Sequence, residues 1–549
     1  MMADYTKAPF LLTAQQAAWV ESTRAAMTAE EKVGQLFCVM GGDYAPDHLR
    51  ELTAAGKIGG VLFRPVRTGA EIRADFQALD AVSKVPLLKA ANLEEGSSGG
   101  MSDGTLFGWP MLCAASGDPE MADKFGAVCG CEGAGIGINW TFSPVCDLDM
   151  NYRNPITNVR TFGSDLARVK EFTARYMAAV HRCGMAACAK HFPGDGVDYR
   201  DQHLHPTVNS LGAERWYETY GAVYRNLIDN GLLSVMAGHI AQPNLAGEIN
   251  PELTEEERYL PASLSKTLLT GVLREKLGFN GLITTDATIM GGYTMPLPRR
   301  EAVPASVMAG CDMLVFTTDL EEDQKYLLDA LADGRLTMER LDEAVGRVLA
   351  LKAKVCFQPA CTETAEGAKW HRECADKAIT LVKDLQPEAL PITPERYPDI
   401  RLITLGKDEI LDGSVAELAA DYLEKQGFRV ERYDPMADDL HGTKDLRPDR
   451  ATLYFANYEQ ASNQTVVRVN WCPKHALDLP RFIQDEVSVF VSLANPYLLQ
   501  DVPRVKTYIN AYTATRDTIQ LTIDKLMGRG GFYGVSPVDP FCGLPDTRL

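Results

Sequence analysis

The run Lys190-His191-Phe192-Pro193-Gly194, followed by Asp201-Gln202-His203, places a lysine, two histidines and a carboxylate within fourteen residues of a 549-residue chain. Five of its nine histidines lie between His181 and His239. The apolar run Met185 to Cys188 reads as a buried strand, and Gly194 and Gly196 punctuate the loop after it. Polar groups are costly to bury, so a bunch of them where a strand becomes a glycine-bearing loop marks a site. A histidine beside a carboxylate can carry protons near neutral pH. A lysine there either donates hydrogen bonds or, when desolvated, serves as a nucleophile. His203-Leu204-His205 could also hold a metal, but the pair lies in a loop ahead of Pro206 and has no further ligands at matching spacing, so no metal is expected. A second feature is Gly281-Leu282-Ile283-Thr284-Thr285-Asp286, an apolar strand ending in a carboxylate. Taken alone, Asp286 reads equally as the N-cap of a following helix or as a reacting group.

These residues need elements to hold them. Eight apolar, strand-like runs precede residue 355, at 35–40, 58–63, 86–91, 139–145, 185–190, 233–237, 281–285 and 312–316. They alternate with amphipathic stretches such as 69–83 and 165–182. Continuous apolar runs suit strands buried on both faces. Eight strand–helix repeats in this length predict a (β/α)8 TIM-type barrel. Polar residues follow several of the strands directly: Asn92 and Glu94, Asp147, Lys190 and His191, His239, and Asp286. Barrels of this kind carry their sites at those C-terminal ends. The glycine-rich Gly133 to Gly137 precedes a strand instead of following one, so it reads as a packing feature and not a dinucleotide loop. The predicted organisation is a barrel domain over 1–360, a linker over 361–398, and a smaller αβα sandwich over 399–549. In the last segment, strands are expected at 401–405, 429–433, 452–456 and 487–493, with helices at 415–426 and 515–527.

Composition narrows the partners. A formal net charge of −19 argues against nucleic acid and anionic membrane, and suits a protein acting on a neutral or cationic small molecule. No apolar run approaches the ~20 residues that span a bilayer. The thirteen cysteines are scattered; Cys129 and Cys131 form the one close pair, with no second pair at metal-ligand spacing. Reduced thiols and a cytoplasmic protein are expected.

With these motifs in view, the chain resembles glycoside hydrolase family 3, specifically its β-N-acetylglucosaminidase branch. The resemblance rests on the Lys190 to Gly194 run, on Asp201-Gln202-His203, and on Gly278-Phe279-Asn280-Gly281 through Asp286. It extends to Phe142-Ser143-Pro144-Val145, Asn154-Pro155 with Arg160-Thr161-Phe162-Gly163, Pro261-Ala262-Ser263, and Asn495-Pro496-Tyr497. It implies that Asp286 is the nucleophile of a covalent glycosyl-enzyme, and that His203 is the general acid/base, oriented and charged by Asp201. It further implies that Arg160, Lys190, His191 and Asn92 bind the sugar, with no cofactor. The implied substrate is a terminal β-linked N-acetylglucosamine on a small glycan or muropeptide.

Three positions depart from the family pattern. Asn92 stands where an aspartate is usual, Ser97 to Gly99 where an arginine is usual, and Asp195 where a loop histidine is usual. The chemistry agrees with the resemblance. Retaining cleavage needs a nucleophile and a proton donor flanking the bond. Histidine suits the second task, and a neighbouring anion favours its proton-bearing form. Phosphate in place of water as acceptor, a glucosidase-type preference, and a catalytically silent sugar-binding protein stay open, as does the oligomeric state.

Overall fold

The computed structural model describes residues 4–358, 361, 363–437, 446–460 and 462–549. The chain forms two compact units. The first comprises Met1–Phe107, Ala122–Thr157 and Leu166–Gly367; the second comprises Gly108–Met121, Asn158–Asp165 and Ala368–Leu549.

The first unit is a closed barrel of eight parallel strands: β1 (Phe37–Met40), β2 (Gly60–Leu62), β3 (Leu88–Ala91), β4 (Trp140–Thr141), β5 (Ala186–Phe192), β6 (Ser234–Ala237), β7 (Leu282–Ala287) and β8 (Met313–Val315). Each strand pairs with the next in the chain, and β8 closes on β1 with Phe37 opposite Leu314. This is the predicted (β/α)8 architecture, with a strand at each of the eight expected places. Their side chains are almost all buried, which explains the continuous apolar runs. β4 is shorter than expected because Pro144 has no N–H to donate to a ladder. The chain still follows β5: the Cys188 N–H donates to the Ser143 carbonyl at 2.8 Å, and the Lys190 N–H to the Pro144 carbonyl at 3.2 Å.

Two helices of the outer layer bear on later arguments, α1 (Glu120–Ile136) and α2 (Leu166–Arg182). The glycines of α1 are packing residues. A Cβ on Gly126 would come 2.6 Å from the Tyr176 carbonyl oxygen, and one on Gly133 would come 2.7 Å from the Met185 methyl. At the N-terminal end of the barrel, the fully buried Asp312 pairs with Arg274 at 2.6 Å and Arg340 at 2.8 Å, and accepts the Ile283 N–H at 3.0 Å. The last helix of this unit's core is α3 (Met338–Cys356).

The second unit is built on a six-stranded sheet of β9 (Thr380–Asp384), β10 (Asp399–Gly406), β11 (Arg429–Arg432), β12 (Arg450–Asn457), β13 (Val487–Ser492) and β14 (Thr507–Asn510). Its order is β9-β14-β13-β12-β10-β11, parallel except at β9. One face packs against α4 (Gly367–Ala378), α5 (Val415–Lys425) and α6 (Arg516–Leu526) through Ala375, Leu418, Leu423, Ile519 and Ile523. The other face buries Leu405, Tyr454, Phe490 and Tyr508 under Val469, Ile483, Leu498 and Leu499. The stretch 361–398, expected as a linker, contains α4 and the edge strand β9. Its Thr380-Leu381-Val382-Lys383-Asp384 alternates weakly and reads from sequence as the end of a helix. Among the described residues, no helix is long and apolar enough to cross a membrane.

Candidate active site

The predicted reactive residues converge at the C-terminal ends of the barrel strands. Asp286 is the fifth residue of β7. The capping alternative for it fails. The next helical turn, Gly291–Thr294, has Met290 at its N-cap with no side-chain bond, while the Asp286 carboxylate accepts its neighbour Ala287's N–H at 2.7 Å. The Asp286 side chain stays 14% exposed, open to a ligand. Burial pushes its carboxyl up, but the facing His191, His239, His203 and Lys190 outweigh this and hold it below the ordinary carboxylate value. Asp286 is therefore an ionised carboxylate at neutral pH, surrounded by imidazoles and an ammonium.

Near the C-terminal end of β5 stand Lys190 and His191, both almost fully buried. His191 turns Nδ1 to the buried Asp147 at 2.7 Å and presents Nε2 3.9 Å from an Asp286 oxygen. Lys190 Nζ pairs with Glu94 at 2.5 Å and donates to Asn92 Oδ1 at 3.1 Å. A lysine held between a carboxylate and an amide suits hydrogen-bond donation better than the Schiff-base chemistry that its position alone allowed.

The loop after β5 is built on glycines. Gly194 has φ 122°, and a Cβ there would come 2.1 Å from the Tyr220 ring. The Tyr220 hydroxyl in turn donates to the Asp195 carbonyl at 2.5 Å. Asp195 anchors this loop. It accepts from Asn154 at 2.7 Å and from Gln202 at 3.3 Å, and burial, then the nearby Asp147 carboxylate, pushes its carboxyl up. The departure at Asp195 thus serves the loop's own structure.

Further along, the fully buried Asp201 accepts from the His203 N–H at 2.8 Å and contacts His203 Nδ1 at 2.7 Å. The imidazole is 24% exposed, with Nε2 left for a ligand. The loop is tied to the residues just after β7. The Gly291 N–H donates to the His203 carbonyl at 2.8 Å, and the Gly292 N–H to the Gln202 carbonyl at 3.1 Å. The Gln202 side chain accepts the His239 N–H at 2.8 Å, linking the loop to the end of β6 as well. The dyad is pinned to the strand that carries Asp286.

Asn92, Lys190, His191, Asp201, His203 and Asp286 therefore belong to one barrel end. Arg160 does not belong to that unit; it lies on the short 3-10 helix Asn158–Arg160 of the second unit, where Asn158 donates to Asn495 at 3.2 Å. Three neighbours received no role from the sequence. Asp147 fixes His191, Glu94 pairs with Lys190, and the buried His239 sits between Ser263 Oγ at 2.8 Å and the Ala287 carbonyl at 3.0 Å. All three follow closely on the apolar, strand-like runs of the sequence, which was the available signal.

The arrangement offers an anionic nucleophile and, on a loop bound to the same strand, a histidine–aspartate pair that can give and take a proton. Known proteins are similar to the chain in sequence and fold. The profile of the glycosyl hydrolase family 3 N-terminal domain matches residues 28–351. A Cellulomonas fimi protein named beta-N-acetylglucosaminidase/beta-glucosidase is 42% identical over the whole of both chains. The solved structure of a beta-glucoside phosphorylase, BglX, bound to 2FGlc superposes with a TM-score of 0.93 at 42% identity, covering 98% of this chain and 99% of that one. A family 3 beta-N-acetylglucosaminidase from Paenibacillus sp. str. FPU-7 follows with a TM-score of 0.79 at 25% identity, over 94% of this chain and 99% of the other. Sequence and fold agree along the full length, and this chain belongs to glycosyl hydrolase family 3.

Proposed function

We propose that this protein is a retaining β-glycosidase that releases terminal β-linked N-acetylglucosamine, and glucose with it, from small glycosides. The observation that carries this reading is the Asp201–His203 pair, held by backbone hydrogen bonds to Gly291 and Gly292, just after the strand that carries Asp286. In the first step an Asp286 oxygen bonds to the anomeric carbon. The glycosidic C–O bond breaks, and the departing oxygen takes the proton from His203 Nε2. In the second step the same nitrogen takes a proton from water, whose oxygen bonds to the anomeric carbon and releases Asp286. Two inversions give net retention. Lys190, with Glu94 and Asn92, and His191, with Asp147, hold ring hydroxyls or the acetamido group; Arg160 is the further sugar-binding residue by family resemblance. The dual name of the Cellulomonas relative supports both sugars.

A second reading has phosphate as the acceptor. It is favoured by the 42% identity, over nearly the whole chain, to a beta-glucoside phosphorylase. The site supports it too, because histidine after giving up its proton is neutral and repels an incoming phosphate less than a carboxylate would. A phosphate oxygen then bonds to the anomeric carbon as the bond to Asp286 breaks, and the product leaves as a sugar 1-phosphate.

A panel of 4-nitrophenyl β-glycosides, assayed with and without phosphate, tests both. Release of 4-nitrophenol from the N-acetylglucosaminide and glucoside supports glycosidase action; no turnover of any activated glycoside sinks it. Free sugar at unchanged rate in phosphate marks hydrolysis, and sugar 1-phosphate formed at a faster rate marks phosphorolysis. A trapped 2-fluoro-glycosyl adduct on any carboxylate other than Asp286 overturns the assignment of the nucleophile.

A further inference from the structure

Sequence spacing singles out Cys129 and Cys131, but the fold separates them. Cys129 points its thiol at the Leu93 carbonyl, 3.5 Å away, whereas Cys131 meets Cys183, with 3.5 Å between the sulfurs. The close approach of helix to helix makes this possible. Gly130, the neighbour of Cys131 on α1, has no side chain, and a Cβ there would come 2.7 Å from the Cys183 sulfur. Cys361, beyond α3, completes the group. Among the described residues, these three thiols are the one set of potential metal ligands whose donor atoms all lie within 4.8 Å of one another.

We propose that Cys131, Cys183 and Cys361 form a three-thiolate site for a thiophilic metal ion, with Zn2+ the fitting divalent case and solvent as its fourth ligand. The spacing supports this. Zn–S bonds of about 2.3 Å in a tetrahedron set two sulfurs about 3.8 Å apart, close to the 3.5 Å seen. A disulfide needs about 2.05 Å, and all three cysteines are free thiols. Cys131 and Cys361 are half-buried, and Cys183 and Cys361 line a surface cleft of about 490 Å³ through which an ion can enter. Three thiolates on Zn2+ carry one net negative charge, which Arg182 and Lys354 on the same cleft offset. Glu363, 3.5 Å from Arg182, lies on that cleft as a partner for a metal-bound water.

The site is structural. Cys183 precedes β5, so it lies at the strand's N-terminal end, while Lys190 and His191 lie at its C-terminal end. In such barrels the N-terminal face serves stability and the C-terminal face chemistry. The metal would join α1, the α2–β5 turn and the segment after α3.

The test uses the full chain, reduced and stripped of metal, titrated with Co2+ and then Zn2+. We expect one Co2+ per chain with a thiolate-to-metal charge-transfer band, displaced by Zn2+. The band is lost in Cys131→Ser and Cys361→Ser, whose half-buried positions tolerate the change, and kept in Cys472→Ser, which lies outside the group. Zn2+ raises the melting temperature of the unaltered protein and leaves glycoside turnover unchanged. Absence of the band, or a band that survives Cys361→Ser, overturns the proposal. So does reduced, folded protein that retains no Zn2+ after desalting. Apart from the turnover control, none of these readouts depends on glycosidase activity.

Discussion

At the level of single residues, the division of labour between His203 and Asp286 makes distinct demands on kinetics. If His203 Nε2 supplies the proton to the leaving oxygen, His203→Ala should cost a natural disaccharide ~10²–10⁴-fold in turnover, the usual worth of general acid–base catalysis. A 4-nitrophenyl glycoside, whose leaving group needs little protonation, should lose less in the first step. Asp201→Asn should reproduce part of the loss, since it keeps a partner for Nδ1 but removes the anion 2.7 Å away. Equal slowing of both substrates would mean that His203 binds sugar and moves no proton. The nucleophile makes a different prediction. The carboxyl of Asp286 is raised by burial and lowered by more by the facing His191, His239, His203 and Lys190, His191 foremost among the lowering groups. Its folded-state value therefore lies below the unfolded one. The ionised form, and with it activity, persists as pH falls through the ordinary carboxylate range; the associated stability is full above the unfolded value and is lost progressively as pH falls from there through the folded one. His191→Ala should move the acidic limb of kcat/KM upward in pH. An unmoved limb would show that another group sets it.

Two elements carry the geometry, and each can be broken separately. The Gly291-Gly292 turn is the floor on which the dyad loop rests. A Cβ on Gly291 would come 2.3 Å from the Leu204 carbonyl oxygen, and one on Gly292 would come 2.6 Å from that of Gln202. Gly291→Ala should therefore push His203 away from Asp286. A displacement of about 1 Å costs on the order of 10² in rate, and here it should come with an unchanged far-UV spectrum and a retained 2-fluoro adduct on Asp286 under long incubation. Full activity in this variant would show that the loop adapts. At the opposite end of the barrel, Asp312 is fully buried among Arg274, Arg340 and Arg347. Removing it by Asp312→Ala leaves guanidinium groups short of a counter-charge, and should destabilise the protein by about 3–5 kcal/mol in denaturant unfolding. Burial raises the Asp312 carboxyl and the three arginines lower it by more, so its contribution to stability is also lost as pH falls. These two elements also show what the sequence could convey. Strands buried on both faces, such as 233–237, announce themselves as unbroken apolar runs, and the carboxylate ending 281–286 was visible as a strand-end group. The edge strand β9 was not, because a strand paired on one side needs no such run. Nor could spacing reveal that Gly291 and Gly292 support His203, or that Cys131 lies against Cys183. Both are contacts between segments distant in the chain, set by close backbone approach.

For the molecule as a whole, the net charge of −19 separates the two candidate acceptors. A protein this anionic presents a repulsive field to phosphate and none to a neutral glycoside. Inert salt screens that field, with a Debye length of ~10 Å at 0.1 M. If phosphate is the acceptor, added sodium chloride should lower the apparent KM for phosphate while kcat/KM for the neutral aryl glycoside stays flat. If water is the acceptor, phosphate and chloride at equal ionic strength should be indistinguishable, and the product should be free sugar in both. A third result is also informative. Should salt raise the KM for phosphate, the local groups at the barrel end, Lys190 among them, would outweigh the distant surface charge, and the site itself would be attracting the anion. That outcome would strengthen phosphorolysis and discard the long-range argument. Measuring sugar 1-phosphate across a salt series therefore tests the acceptor and the electrostatic account together, with separate outcomes for each.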